Sequence, residues 1–471
     1  MKDPEAPRTG IIECEKGSAS FYMNDFSFCF MNNTIKRITK RSGEIYSAAN
    51  LLFALKKQGN FYVGVTNDNQ SIAIYAKDCP TETLVPKWNF RTSTYIVQDA
   101  IVTEKYGYSF DAIELKGGIL NSLFRPEHIP VDYSDSGYTI KDESFERQGL
   151  LNWNGQEVTV KLGWYTITSG QPRKFEVRTS DLYFRFEFSN PVNLDEALFH
   201  VEKARELMSF LSYRKNVEFN SVTFQRKQSI PGCDLDSNIY YSDDAHVYIN
   251  YGFESTQKDS FRCICFDDIK DAVFSLLAMF YDCSDYNPIK HLSFIPENDK
   301  HANLLSPTDI REIATLLECE TKCACRERDE KSKVLYDESQ RLSTLLSKIK
   351  QVISEDESKN GPLPGSIQSQ FTKRFYKASL PSKHKDILLY NAYKNIIGSI
   401  APYYGKVIDE NDIKDFRNYR NKETHGNYNL LNLNVGITAM HLVVAVYCSI
   451  LHRSGVDDQI LTTLCERKFF S

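Results

Sequence analysis

The hydrophobic period of this chain changes once, near Ser255, and that change limits what it can fold into. From about Lys36 to Tyr251 apolar residues recur mainly at every second position, broken by turn signals at Asn67-Asp68-Asn69, Gly117-Gly118 and Ser169-Gly170. After Ser255 they recur at helical spacing. A period of two alternates side chains across a strand, and a period near 3.6 gathers them on one helix face. The expected fold class is therefore α+β: a β-rich amino-terminal domain over 1–255 with a packed helix, a helical connecting segment over 256–305 and an all-α bundle over 306–471.

Particular stretches carry that reading. In DLYFRFEF, Leu182, Phe184, Phe186 and Phe188 fall on one face while Tyr183, Arg185 and Glu187 fall on the other, which is a half-buried strand. Val158, Val160 and Leu162 repeat the alternation, and Phe175 and Val177 open what reads as the partner of the Leu182 strand across a turn. One helix interrupts the sheet. Asn193 with Glu196 forms a capping box, and Leu194, Ala197, Leu198, Val201, Ala204, Met208 and Leu211 follow at helical spacing. Further on, Ile269 to Tyr281 is a short amphipathic helix, Ser306-Pro307-Thr308-Asp309 is a helix start, and Leu335, Leu342, Leu345, Leu346, Ile349 and Val352 mark another helix. The acidic, Pro- and Gly-containing run from Ser354 to Ser366 reads as a loop, after which helices resume through Phe371, Leu388 to Ile400 and Ile413 to Arg453.

At 471 residues, with 41% hydrophobic and 25% charged residues, the chain has ample material for packed cores. Its net charge of -5 supplies no whole-molecule attraction to nucleic acid, so any such contact needs a local patch. The opening MKDPEAPRTG lacks the apolar core of a secretory signal. The apolar run Gly436 to Leu451 is shorter than the roughly 20 residues of a membrane span and reads as a buried bundle helix. Twelve scattered cysteines fit reduced thiols, and the expected compartment is the cytoplasm, with no membrane partner.

The chemistry-bearing stretch is DFRNYRNKETHGNYN, Asp415 to Asn429. Gly426 is a natural helix stop, which puts His425 at a helix carboxyl end, where the dipole favours the imidazolium. Asn421 and His425 share a face, but Arg420 points about 140° away on a regular helix. Those two side chains converge only through a distortion, a wrapping arginine or a second subunit. The plain structural reading is a polar helix end, with Arg420 solvated, His425 a cap and Asn421 a turn former.

Arg420-Asn421-Lys422-Glu423-Thr424-His425 resembles the signature of the HEPN superfamily of small helical ribonuclease domains: an arginine, a polar neighbour and a histidine four to six positions on, before a long apolar helix. The run ALFHVEKARELMSFLSYRKNVEFNSVTF, and its spacing through LSPTDIREIATLLECE to the terminal bundle, is similar to ApeA-like anti-phage proteins. Tyr428 lies three positions after His425, where a HEPN subgroup has a tyrosine at two, so that role is not carried over. The resemblance implies metal-independent cleavage of RNA, with tRNA a candidate substrate, in a homodimer or higher homo-oligomer. It implies catalytic roles for Arg420, Asn421 and His425, abortive infection as the biological setting and a phage-derived trigger. A catalytically silent HEPN module serving as a binding or assembly platform is the alternative.

Arg417 and Lys422 are candidate RNA contacts, as are Lys373, Arg374 and Lys377 in the basic-aromatic run FTKRFYK. An amphipathic helix with its aromatics inward and its lysines in water is the preferred explanation of that run. Cys319, Cys323 and Cys325, with Cys263 and Cys265, invite a zinc reading, but their spacing fits no standard ligand pair. His441 reads as a core histidine, and no cofactor-binding motif is found.

Overall fold

The computed structural model describes residues 7–31, 53–124, 131–229, 239–252, 263–298, 305–371, 379–398, 406–424 and 431–468, apart from short breaks inside the first three stretches. The fold class is α+β, as the period change implies. The chain divides into two compact units: Met1–Met208 with Asn216–Lys258, and Ser209–Lys215 with Asp259–Ser471.

The first unit is built on one large antiparallel sheet. From one edge its strands run Phe145–Trp153, Gln156–Trp164, Tyr183–Asn193, Ser109–Lys116, Ser221–Ser229, Ile239–Ile249 and Thr94–Asp99. The order continues through Gln70–Tyr75, Phe61–Thr66, Arg8–Cys14, Gly17–Asn24 and Ser27–Met31 to Lys87–Arg91. Phe21, Phe28, Phe30, Tyr62 and Tyr95 fill one core. At Gly10 the strands approach so closely that a Cβ would lie 2.2 Å from the Val65 carbonyl oxygen, so only glycine fits.

The Tyr183 strand alternates as expected, with Phe184, Phe186 and Phe188 buried. Its neighbours differ from expectation. Val160 pairs with Phe186 on one side and Ile113 with Phe186 on the other, while the Phe175 strand pairs with Thr166–Gln171 in a separate hairpin. Ser169-Gly170 therefore lies inside a strand rather than at a turn. Among the described residues two short helices, α1 (Ala100–Tyr106) and α2 (Ile119–Ser122), precede the expected one, α3 (Leu194–Ser212). The Asn193 side chain accepts from the Glu196 amide at 3.0 Å, and Glu196 accepts from the Asn193 amide at 2.9 Å, completing the capping box. Through His200, α3 meets the sheet: the imidazole lies 4.6 Å from Trp153, 4.8 Å from Phe188 and 5.4 Å from Phe186. Burial lowers its pKa to about 3, so it packs as a neutral ring.

The second unit is helical: α4 (Phe266–Ile269), α5 (Ala272–Tyr281), α6 (Pro307–Glu327), α7 (Lys333–Asn360), α8 (Gly365–Phe371), α9 (Ser382–Ile397), α10 (Glu410–Thr424), α11 (Leu433–Arg453) and α12 (Asp458–Lys468). The capping box of Ser306 and Asp309 starts α6 where the sequence signals it. α7 runs on through the acidic residues expected to form a loop, because Asp and Glu interspersed with Lys sustain a helix, and it stops only at Gly361, φ 88°. α11 is the core helix, and Phe210 stacks on its Tyr447 at 4.1 Å. It is the one described helix long and apolar enough to cross a membrane, yet 83% of its apolar window is buried.

At the end of α11, His452 Nδ1 lies 3.2 Å from Asp329 Oδ1, and that hydrogen bond raises the imidazole's pKa above its ordinary 6.5. Burial alone would raise Asp329, but bonds from His452 and Ser332 outweigh it and lower its pKa. A folded-state pKa above the unfolded one makes the pair's contribution complete below pH 6.5 and removes it as pH rises through the shifted value. Chemical denaturation of His452→Gln should thus show a loss of about 1 kcal/mol in mildly acidic buffer that shrinks in alkaline buffer.

Candidate functional site

The polar stretch begins on α10, whose inner face carries Ile413 and Phe416, both fully buried. Arg417 falls on that same face and is 4% exposed. A buried guanidinium needs carboxylates. Two are supplied: Asp386 on α9 accepts bidentately from Nε and Nη2, the latter at 2.8 Å, and Glu318 on α6 accepts from Nη1 at 2.9 Å. Burial disfavours the cation, but the hydrogen bonds and charge of Asp386, with those of Glu318, outweigh it and raise the pKa of Arg417. Arg417 therefore anchors α10 to α9 and α6. As an RNA contact it would have to exchange one of these carboxylates for a phosphate.

One turn later Arg420 reaches the same Glu318, with Nη2 3.7 Å from Oε1, while its Nη1 lies 3.4 Å from Asn421 Oδ1. The Arg420 side chain is 26% exposed, and Asn421 and Lys422 face solvent. Arg420 and Asn421 are thus brought together at an accessible helix end, and α10 is uninterrupted from Glu410 to Thr424. His425, Gly426 and Tyr428 lie outside the described residues, as do Lys373, Arg374 and Lys377.

Sequence reasoning missed Glu318 and Asp386. The signal was present, since Arg417 lies at i+4 from Ile413 and i+1 from Phe416, on an apolar stripe where a charge requires a partner. Glu318, between Leu317 and Cys319, and Asp386, directly before Ile387, are acids set against apolar faces in the same way.

The remaining candidates are structural in their surroundings. His441 is 1% exposed, and burial lowers its pKa to about 4. Cys319 and Cys323 are buried in α6; the Cys323 thiol donates to the Tyr286 carbonyl at 3.0 Å, and burial pushes its pKa up to about 12. Cys325 Sγ lies 3.6 Å from Ser339 Oγ, and Cys265 caps α4. Among the described residues no three His, Cys, Asp or Glu side chains are grouped as a metal site.

The Asp386–Arg417 anchor is directly testable. Asp386→Ala, which strands a buried cation on Glu318 alone, should cost about 3 kcal/mol in urea unfolding of the full chain, and Asp386→Leu combined with Arg417→Met should recover most of it.

No curated protein and no solved structure matches this chain. The family model described as ApeA N-terminal domain 1 matches residues 63–273, from the Phe61 strand to the start of α5.

Proposed function

We propose that the helical unit is a metal-independent endoribonuclease of the HEPN type and that the chain serves anti-phage abortive infection in the cytoplasm, cutting host RNA, with tRNA as a candidate. The observation that carries the reading is the pairing of Arg420 with Asn421 in the accessible last turn of α10, five and four residues ahead of His425 and followed by the core helix α11. The match over residues 63–273 supports the defence role, in which the amino-terminal unit restrains the nuclease until a phage-derived trigger arrives.

The chemistry uses residue types suited to phosphodiester transfer. His425, ordinarily titrating near neutral pH, takes the proton of the ribose 2′-hydroxyl or protonates the departing 5′-oxygen. The 2′-oxygen bonds to phosphorus as the bond to the 5′-oxygen breaks, leaving a 2′,3′-cyclic phosphate and a 5′-hydroxyl. Arg420 binds the non-bridging oxygens and stabilises their growing charge, and Asn421 orients the histidine or the phosphate. The sequence spacing of Arg420 and His425, about 140° apart on a regular helical wheel, favours a site completed by a second copy of the chain. The pairing of Arg420 with Glu318 favours the second reading, a silent assembly module, since that carboxylate occupies the place of a phosphate.

Wild type from infected cells, released by its trigger, should cut RNA in EDTA, and His425→Ala and Arg420→Ala should each cut at least about 100-fold more slowly while remaining folded. Equal cleavage by wild type and His425→Ala removes the histidine from the mechanism. Absence of cleavage by wild type during infection supports the assembly module instead.

A further inference from the structure

A cleft of about 540 Å³ opens between α6, α7 and the start of α9. Lys322 and Arg326 from α6, Lys350 from α7 and Lys385 from α9 line it, and no Asp or Glu is among its lining residues. In a chain of net charge -5 that concentration of one sign is unusual. Lys322 and Arg326 stand four apart on one helix, where like charges repel by a few tenths of a kcal/mol. The helix dipole accounts for Arg326 in the last turn of α6, and Lys322 also lies 4.8 Å from the centroid of the Tyr286 ring.

The rest of the lining narrows the ligand. Ser339, Ser343 and Ser347 form a row of hydroxyls at four-residue spacing along α7, with Leu342 and Leu346 beside them. Cations suit phosphates, hydroxyls suit sugar and base edges, and leucines suit the face of a base. Inorganic phosphate alone would use only the first of these. A cleft of this size admits unpaired nucleotides rather than a duplex.

Its place completes the argument. Lys322 lies one helical turn, about 6 Å of axial rise, beyond Glu318, the carboxylate that holds Arg420. Lys385 directly precedes Asp386, which holds Arg417. We propose that this cleft is a single-stranded RNA subsite that holds nucleotides flanking the scissile phosphate. The proposal rests on the ribonuclease reading for its biological meaning, but binding is measurable without cleavage.

The test is the fluorescence anisotropy of a short labelled 2′-fluoro RNA, which has no 2′-hydroxyl to attack, titrated with the full-length protein between about 50 and 200 mM salt. Lys322→Glu with Arg326→Glu should weaken binding at least about tenfold and reduce the slope of log affinity against log salt by about 1.4, or 0.7 for each lost phosphate contact. Ser343→Trp, which fills the cleft from an exposed position, should weaken binding without changing that slope, and it carries the test if the double reversal fails to fold. Unchanged affinity in folded cleft variants overturns the proposal. So does tight binding of adenosine monophosphate by a protein with no affinity for the RNA. Loss of RNA binding in the cleft variants, with no cleavage by wild type, keeps the subsite and overturns the nuclease; normal cleavage with unchanged binding does the reverse.

Discussion

One guanidinium holds the helical unit's chemistry in place. Arg417 is buried among the side chains of α10, and a cation there is tolerable only while Asp386 and Glu318 face it. Satisfying both carboxylates fixes the rotation of α10 about its own axis. Arg420, three residues on, is thereby delivered to Glu318, and Asn421 to solvent. A second buried network works alike on the other side of α6, where Glu320 accepts from Arg453 of α11 at 2.7 Å and 3.1 Å and from the Ser449 hydroxyl. α6 is thus tied by charge to both helices that flank the polar stretch in sequence.

The β unit combines aromatic packing with largely buried ion pairs of its own, Arg226 with Asp244 at 3.2 Å and Arg185 with Glu114 at 3.0 Å. His200 is the instructive residue, a titratable ring caged by Trp153, Phe186 and Phe188 and held neutral by burial, so it contributes shape rather than charge. α3 packs on a phenylalanine-faced sheet and also carries Arg205, a cation shielded by burial that lies 5.0 Å from the centroid of the Tyr251 ring.

How much of this is legible in the sequence depends on what occupies the inward positions. Where they are uniformly apolar, as at Phe184, Phe186 and Phe188, the strand and its buried face are read correctly. The strand Arg8–Cys14 escapes notice because its inward positions are Arg8, Gly10 and Ile12 while Ile11 points outward. Strand pairing is misread for the Phe175 strand, because local proximity suggests a hairpin with Tyr183, whereas Val158, Val160 and Leu162 match the long strand better. In the helical unit the polar stretch stands out, but its support does not. Glu318 and Asp386 lie 99 and 31 residues from Arg417, beyond the reach of any local pattern.

The central proposal is that Arg420 and Asn421, presented by an anchored α10, act with His425 on an RNA phosphate attacked by its own 2′-hydroxyl. The chemical ends of the cut RNA test this most directly, read by mass spectrometry of fragments from infected cells that express the full-length chain. The account predicts a 2′,3′-cyclic phosphate on one fragment and a 5′-hydroxyl on the other. Fragments bearing a 5′-phosphate and a free 3′-hydroxyl would mean that water attacked the phosphate, and would contradict it.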